Sequence, residues 1–232
     1  MGLFSTSAGV ELSTPARILD KASDGVITKI IKSGDFNGNS GTTFLIRDIP
    51  GIPSPRALLI GCGKKDSFDE KAYRDAVKIA TKSMIPLKGV KKIASFLTEL
   101  FVKEKPGFWK LQTHLLTIRD VLYRFDRFKS PKDRKKDIKT SKLASKVFKS
   151  PKSDKACSIK SVEMLLPGDM RPTDASQSIN QAMALADGVD LTKDLGNLPP
   201  NICTPSYLVT VAKTISKQTR LKCEVLDKSA LE

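Results

Sequence analysis

The sequence predicts an α/β fold, a partly parallel sheet covered by helices, and three observations carry that expectation. Short apolar runs suited to strands alternate with amphipathic stretches of helical period. The 232 residues, 40% hydrophobic and 28% charged, suffice for a substantial core. No apolar run approaches the ~18–20 residues of a membrane span, and the composition excludes a collagen, a disulfide miniprotein and a wholly disordered chain.

Thr14-Pro15 reads as an N-cap followed by Pro at the first helical position. Ile18, Leu19, Ala22, Val26, Ile27, Ile30 and Ile31 recur at helical spacing and predict one helix stopping at Gly34. A turn-rich break over 35–41 leads to strands over 42–49 and 56–60. Ser67-Phe68-Asp69-Glu70 reads as a capping box, with Ser67 as cap and a helix to about Met84. Residues 92–97 read as a strand. Residues 107–125 read as a helix turning Trp109, Leu111, Leu115, Ile118, Val121 and Leu122 inward, and 161–166 as a strand.

A long helix is expected over about 173–195, with Ile179, Met183, Ala186 and Val189 as its apolar face. Asn197-Leu198-Pro199-Pro200-Asn201 ends it. Thr204-Pro205 opens another helix carrying Leu208, Val211, Ala212 and Ile215, and 221–226 reads as a strand. A second α/β unit therefore begins near Asn197. One helix and one strand cannot close a sheet, which points to an incomplete chain.

The net charge of +15 is concentrated. Between Asp126 and Cys157 lie twelve basic residues against four acidic ones, a surplus of eight. This Lys/Ser-rich stretch, about 130–158, reads as a mobile surface loop. Lys132, Arg134, Lys135, Lys136, Lys139, Lys142, Lys146, Lys149, Lys152 and Lys155 are its candidate nucleic-acid contacts, since cations there would displace counterions from phosphates. Only Phe128 and Phe148 accompany them. That disfavours base stacking and favours a solvated insertion.

Cys62, Cys157, Cys203 and Cys223 form no zinc signature and follow no secretory segment, so free thiols in a reducing cytoplasm are expected. A single His excludes a multi-His zinc cage. Met1-Gly2-Leu3-Phe4-Ser5-Thr6 fits the loose myristoylation pattern, read here as chance because no second anchoring signal adjoins it. Gly61-Cys62-Gly63-Lys64-Lys65 would receive phosphate if it opened a helix, but it is no P-loop and reads as a tight turn. His114 reads as a surface or core-edge histidine and Cys62 as a buried or turn thiol. Asp187, Asp190 and Asp194 read as a solvated helix face rather than a metal cluster.

The run from Lys193 to Leu208, KDLGNLPPNICTPSYL, resembles the junction before the catalytic domain of the bacterial leucyl (cytosol) aminopeptidases. Three further stretches agree in the same order: Leu19-Asp20-Lys21-Ala22-Ser23-Asp24-Gly25, Leu58-Leu59-Ile60-Gly61-Cys62-Gly63-Lys64, and Phe96-Leu97-Thr98-Glu99-Leu100 with Tyr123-Arg124-Phe125-Asp126 downstream. The resemblance runs from about Pro15 to Glu232. It implies a macro-domain-like mixed sheet flanked by helices over 1–170, a linker helix over 171–196, and the truncated start of an α/β catalytic domain over 197–232. It further implies a cytoplasmic, typically hexameric peptidase with two manganese or zinc ions per subunit, removing N-terminal residues such as leucine from peptides. Some bacterial members also bind DNA.

The departures are specific. Only the end of the family's extra N-terminal strand is expected, in 1–4, and the stretch 135–158 is longer than in the family. The family's metal-binding lysine and aspartates, its second lysine and its N-T-D-A-E-G-R segment are absent. The resemblance therefore assigns no catalytic and no metal residue here, and no bound metal is expected. Two rival readings follow: a DNA-binding accessory module using the basic stretch, and a non-functional truncated remnant.

Overall fold

The computed structural model describes residues 1–7, 9–128 and 158–231. Their contacts divide them into two units, Met1–Leu122 with 158–183, and 123–128 with 184–231.

The first unit is built on a four-stranded mixed sheet. Strands β1 (Gly2–Thr6), β2 (Gly9–Leu12), β3 (Thr43–Arg47) and β4 (Arg56–Lys64) are ordered β2-β1-β4-β3. The central pair β1–β4 is parallel and both outer pairs are antiparallel. Successive side chains point to opposite faces, so each central strand feeds two cores. Leu3, Ala57 and Leu59 enter one core, with Ala16 of helix α1 (Thr14–Ala22) and Ile27 of α2 (Val26–Lys32). Phe4, Ile60 and Cys62 enter the other, with Tyr73, Ala76, Val77 and Ala80 of α3 (Glu70–Met84). Trp109 and Ile118 of α4 (Gly107–Leu122) pack against that second core. Strands β5 (Lys92–Ser95) and β6 (Ser161–Met164) form a separate parallel pair.

Strand β1, over Gly2–Thr6, is one of the two central strands of the sheet. Gly2 within it is buried, where a Cβ would press on Leu100 and Cys62, a poor setting for an acylation site.

Four expectations are corrected. The single helix over 14–31 is two helices, because Asp24 and Gly25 take positive φ (54° and 77°). Asp20 then caps the second helix, its carboxylate accepting from Thr28 N (3.0 Å) and Thr28 Oγ1 (2.5 Å). The cap of α3 is Asp69, which accepts from Ala72 N (2.8 Å). Ser67 falls in a 3-10 turn over Lys65–Ser67. The 61–65 segment is not a tight turn. β4 continues to Lys64, and Gly61 N donates to Thr42 O (2.8 Å). A Cβ at Gly61 would collide with the Asn39 carbonyl oxygen and Thr42 Oγ1, so glycine is required by the close approach of that loop. Finally, 221–226 forms no strand. A strand needs a neighbour to satisfy its backbone, and among the described residues none pairs there.

Helix α5 (Pro172–Gly196) crosses from one unit to the other. Its buried positions are Ala175, Ser178, Ala182, Ala186, Asp190 and Leu191, recurring at helical spacing. Met183 and Val189 of the expected apolar face are exposed instead. Small residues let the helix approach its neighbour closely, and Ser178 Oγ donates to the Phe108 carbonyl (3.3 Å).

In the second unit, α6 (Pro205–Thr219) starts as expected, Thr204 Oγ1 accepting from Tyr207 N (3.3 Å). A small core of Leu191, Leu198 and Val211 gathers Phe125, Leu195 and Ile215 around it. A four-residue helix, α7 (Lys228–Leu231), ends the described chain.

Candidate functional site

The second unit brings together two of the segments that carry the resemblance, Tyr123-Arg124-Phe125-Asp126 and Lys193-Asp194-Leu195-Gly196-Asn197. The Tyr123 phenol donates to Asp194 Oδ1 (2.9 Å) and accepts from Asn197 Nδ2 (3.2 Å). Asn197 Nδ2 also donates to the Lys193 carbonyl (2.8 Å), satisfying one of the orphan carbonyls at the end of α5. Lys193 Nζ sits 4.9 Å from the centre of the Tyr123 ring. Arg127 Nη1 donates to the Tyr207 hydroxyl (3.1 Å), tying 123–128 to α6.

Burial pushes the Asp194 carboxyl above the usual carboxylate range, opposed by the Tyr123 hydrogen bond and reinforced by the Asp190 charge. Burial likewise raises the Tyr123 phenol. The three aspartates are therefore not a solvated face: Asp190 is only 8% exposed and Asp194 is half-buried. Neither Tyr123 nor Asn197 stands out as a site residue by its local sequence, although both lie in the motifs that carry the resemblance. Their signal is the co-occurrence of two distant motifs rather than any local spacing.

The sequence profile described as "Cytosol aminopeptidase family, N-terminal domain" matches residues 2–132, more than half of the chain. The chain belongs to the cytosol aminopeptidase family. A probable cytosol aminopeptidase of Paraburkholderia phymatum is 36% identical over 232 residues, all of this chain and 41% of the relative. One of Burkholderia lata is 37% identical over 226 residues, 97% of this chain and 40% of the relative. This chain thus spans about two-fifths of the length of the curated relatives it matches. Among solved structures, a mutant of tomato leucine aminopeptidase superposes with TM-score 0.65 at 19% identity, covering 93% of this chain and 37% of that one. The bottromycin maturation enzyme BotP, in complex with Mn, gives TM-score 0.60 at 16% identity over 86% of this chain and 35% of that one. These likenesses show the fold, an α/β domain with a mixed sheet flanked by helices.

In this aminopeptidase-family chain, the remaining candidates are structural. Cys62 is buried in β4 and burial pushes its thiol up to about 12, which leaves it protonated and unreactive. His114 is no core-edge residue. It is 2% exposed, its Nδ1 lies 3.4 Å from the Tyr73 hydroxyl, and burial lowers it to about 4. Lys110 is buried beside it, held by the Leu100 carbonyl (3.4 Å), and burial lowers its ammonium. Among the described residues no group of three or more His, Cys, Asp or Glu side chains is arranged to hold a metal ion. The described residues thus do not fit the manganese or zinc that the resemblance implies, and no metal chemistry is derived from them. The basic candidates Lys132, Arg134, Lys135, Lys136, Lys139, Lys142, Lys146, Lys149, Lys152 and Lys155 lie outside the described residues. No helix among the described residues is long and apolar enough to cross a membrane.

Proposed function

We propose that this chain is the N-terminal portion of a cytoplasmic, metal-dependent leucyl aminopeptidase that hydrolyses N-terminal residues from peptides. The observation that carries the reading is the match of all 232 residues to a probable cytosol aminopeptidase at 36% identity. In this reading 1–170 is an outer domain, 171–196 a linker helix and 197–232 the start of the catalytic domain. The Tyr123–Asp194–Asn197 network holds the linker's end where the catalytic domain begins. The metal ligands and the hexamer contacts reside in the remaining part of the family's length.

The test is hydrolysis of a leucyl anilide with manganese. The purified 232-residue chain is expected to show no turnover above buffer. Turnover by this chain would mean that residues present here do the chemistry, and would overturn the assignment of catalysis elsewhere. The intact mass of the endogenous protein is the companion measurement. A value well above 25.4 kDa supports the outer-domain reading.

A DNA-binding role is the second reading, favoured by the surplus of eight positive charges between Asp126 and Cys157. Phosphate contacts by these lysines predict that log K falls with log salt by about 0.9 per phosphate engaged. Deleting 132–155 should then remove both the affinity and the slope. An unchanged affinity would rule the stretch out as the contact.

A further inference from the structure

A cavity of about 300 Å³ lies in the first unit between β4, the end of α3 and β5. Leu58, Ile60, Met84, Leu87, Ile93 and Phe96 make its walls apolar. Protein interiors leave few voids larger than a water molecule. Along these walls water finds few hydrogen-bond partners, so this part of the cavity suits an apolar occupant.

The lining shared with a second space has the opposite character. Arg56 and Lys92 line the cavity and also an adjoining cleft of about 450 Å³, where Arg47 and Lys91 join them. Asp48 is the single acid lining that cleft. These four cations form no ion pair among the described residues. Arg56 Nη1 donates to the Lys88 carbonyl (3.0 Å), which fixes the guanidinium at the rim and leaves further N–H groups for an anion.

We propose that this cavity binds an aliphatic carboxylate, its chain among the apolar walls and its carboxylate at Arg56 and Lys92. At about 30 Å³ per water-sized group, the space takes roughly ten carbon-sized groups, the length of decanoate. Removing the chain from water drives binding, and the paired cations select a charged head over a neutral one. The occupant is a free fatty acid, because an esterified acyl chain has no carboxylate to offer Arg56 and Lys92.

The test is calorimetric titration of the 232-residue chain with decanoate below its micelle concentration. Saturable binding of one decanoate per chain is expected, with decanol about tenfold weaker or worse, as loss of charge-assisted hydrogen bonds implies. Arg56→Gln with Lys92→Gln should weaken decanoate by a similar factor. Val90→Phe, on the wall shared by cavity and cleft, should abolish binding while circular dichroism and Trp109 fluorescence stay unchanged. Leu87→Phe fills the same space should Val90→Phe fail to fold. Phosphatidylglycerol vesicles should not compete with decanoate, and competition by them would overturn recognition of a carboxylate. Binding of decanoate alone would identify the free acid. Absence of saturable binding overturns the proposal. So does equal affinity for decanol and decanoate, or binding that survives the filling variants.

Discussion

The imidazole of His114 faces the Tyr73 phenol with almost no access to solvent, and its pKa of about 4 against an ordinary 6.5 has a thermodynamic consequence. Between those values the unfolded chain takes up a proton that the folded chain refuses. Stability is therefore full above pH 6.5 and falls as pH drops toward 4, by at most about 3 kcal/mol. Urea unfolding at pH 7 and pH 4.5, followed through the single tryptophan, should show this loss. The reporter is well placed, since the Trp109 ring lies 5.6 Å from that of Tyr73, tilted at 48°. A His114→Gln variant should flatten the slope across that window, and an unaltered slope would assign it to other groups. Gly61 is a second decisive residue. A methyl group there meets backbone oxygen rather than a yielding side chain, so Gly61→Ala should cost about 2 kcal/mol or more in the same assay. The exposed pairs around Trp109 matter less. Glu70 meets Arg74 at 3.2 Å and also contacts Lys105, but such surface bridges contribute only about 0–1 kcal/mol.

At the scale of elements, caps decide where helices begin. Asp69→Ala should cost about 1 kcal/mol because Ala72 N loses its acceptor, whereas Ser67→Ala should leave the urea midpoint nearly unchanged. Asp20→Ala should cost a similar amount, because Asp20 holds the start of α2 from the far side of the break. Equal effects of the Ser67 and Asp69 substitutions would restore the capping box read from the sequence. Most strands and helices were legible because apolar periodicity reports which face is buried. The break at 23–25 was missed because the apolar positions on either side keep helical register through it. Asp24-Gly25 was the available turn signal. The buried face of α5 was misplaced for another reason. Periodicity favours large residues, and up to Ala186 this helix buries small ones instead. The candidate site was legible only as two motifs. Their meeting depends on Tyr123 reaching Asp194 across 71 positions of sequence, which no local pattern encodes.

Over the whole molecule, apolar exposure is uneven. The first unit closes two cores on the sheet, and its central strands β1 and β4 bury residues on both faces. Among the described residues the second unit has one small core and leaves Leu208, Leu221, Val225 and Leu226 in solvent, Leu221 at 64% exposure. Local stability follows contact density, so hydrogen exchange should be slowest in β1 and β4 and fast over 221–227, which form no helix or strand among the described residues. The same apolar residues should make the isolated chain self-associate, since exposed apolar surface favours association over solvation. Leu221→Ser, Val225→Ser and Leu226→Ser together should shift sedimentation toward the monomer. The same triple substitution should leave the pH 7 urea midpoint of the first unit unchanged, because none of the three joins either of its cores. If the triple variant instead unfolds the first unit, these residues are structural. If association persists unchanged, it arises elsewhere, with exposed Phe101 and Phe108 of the first unit the next surface to test.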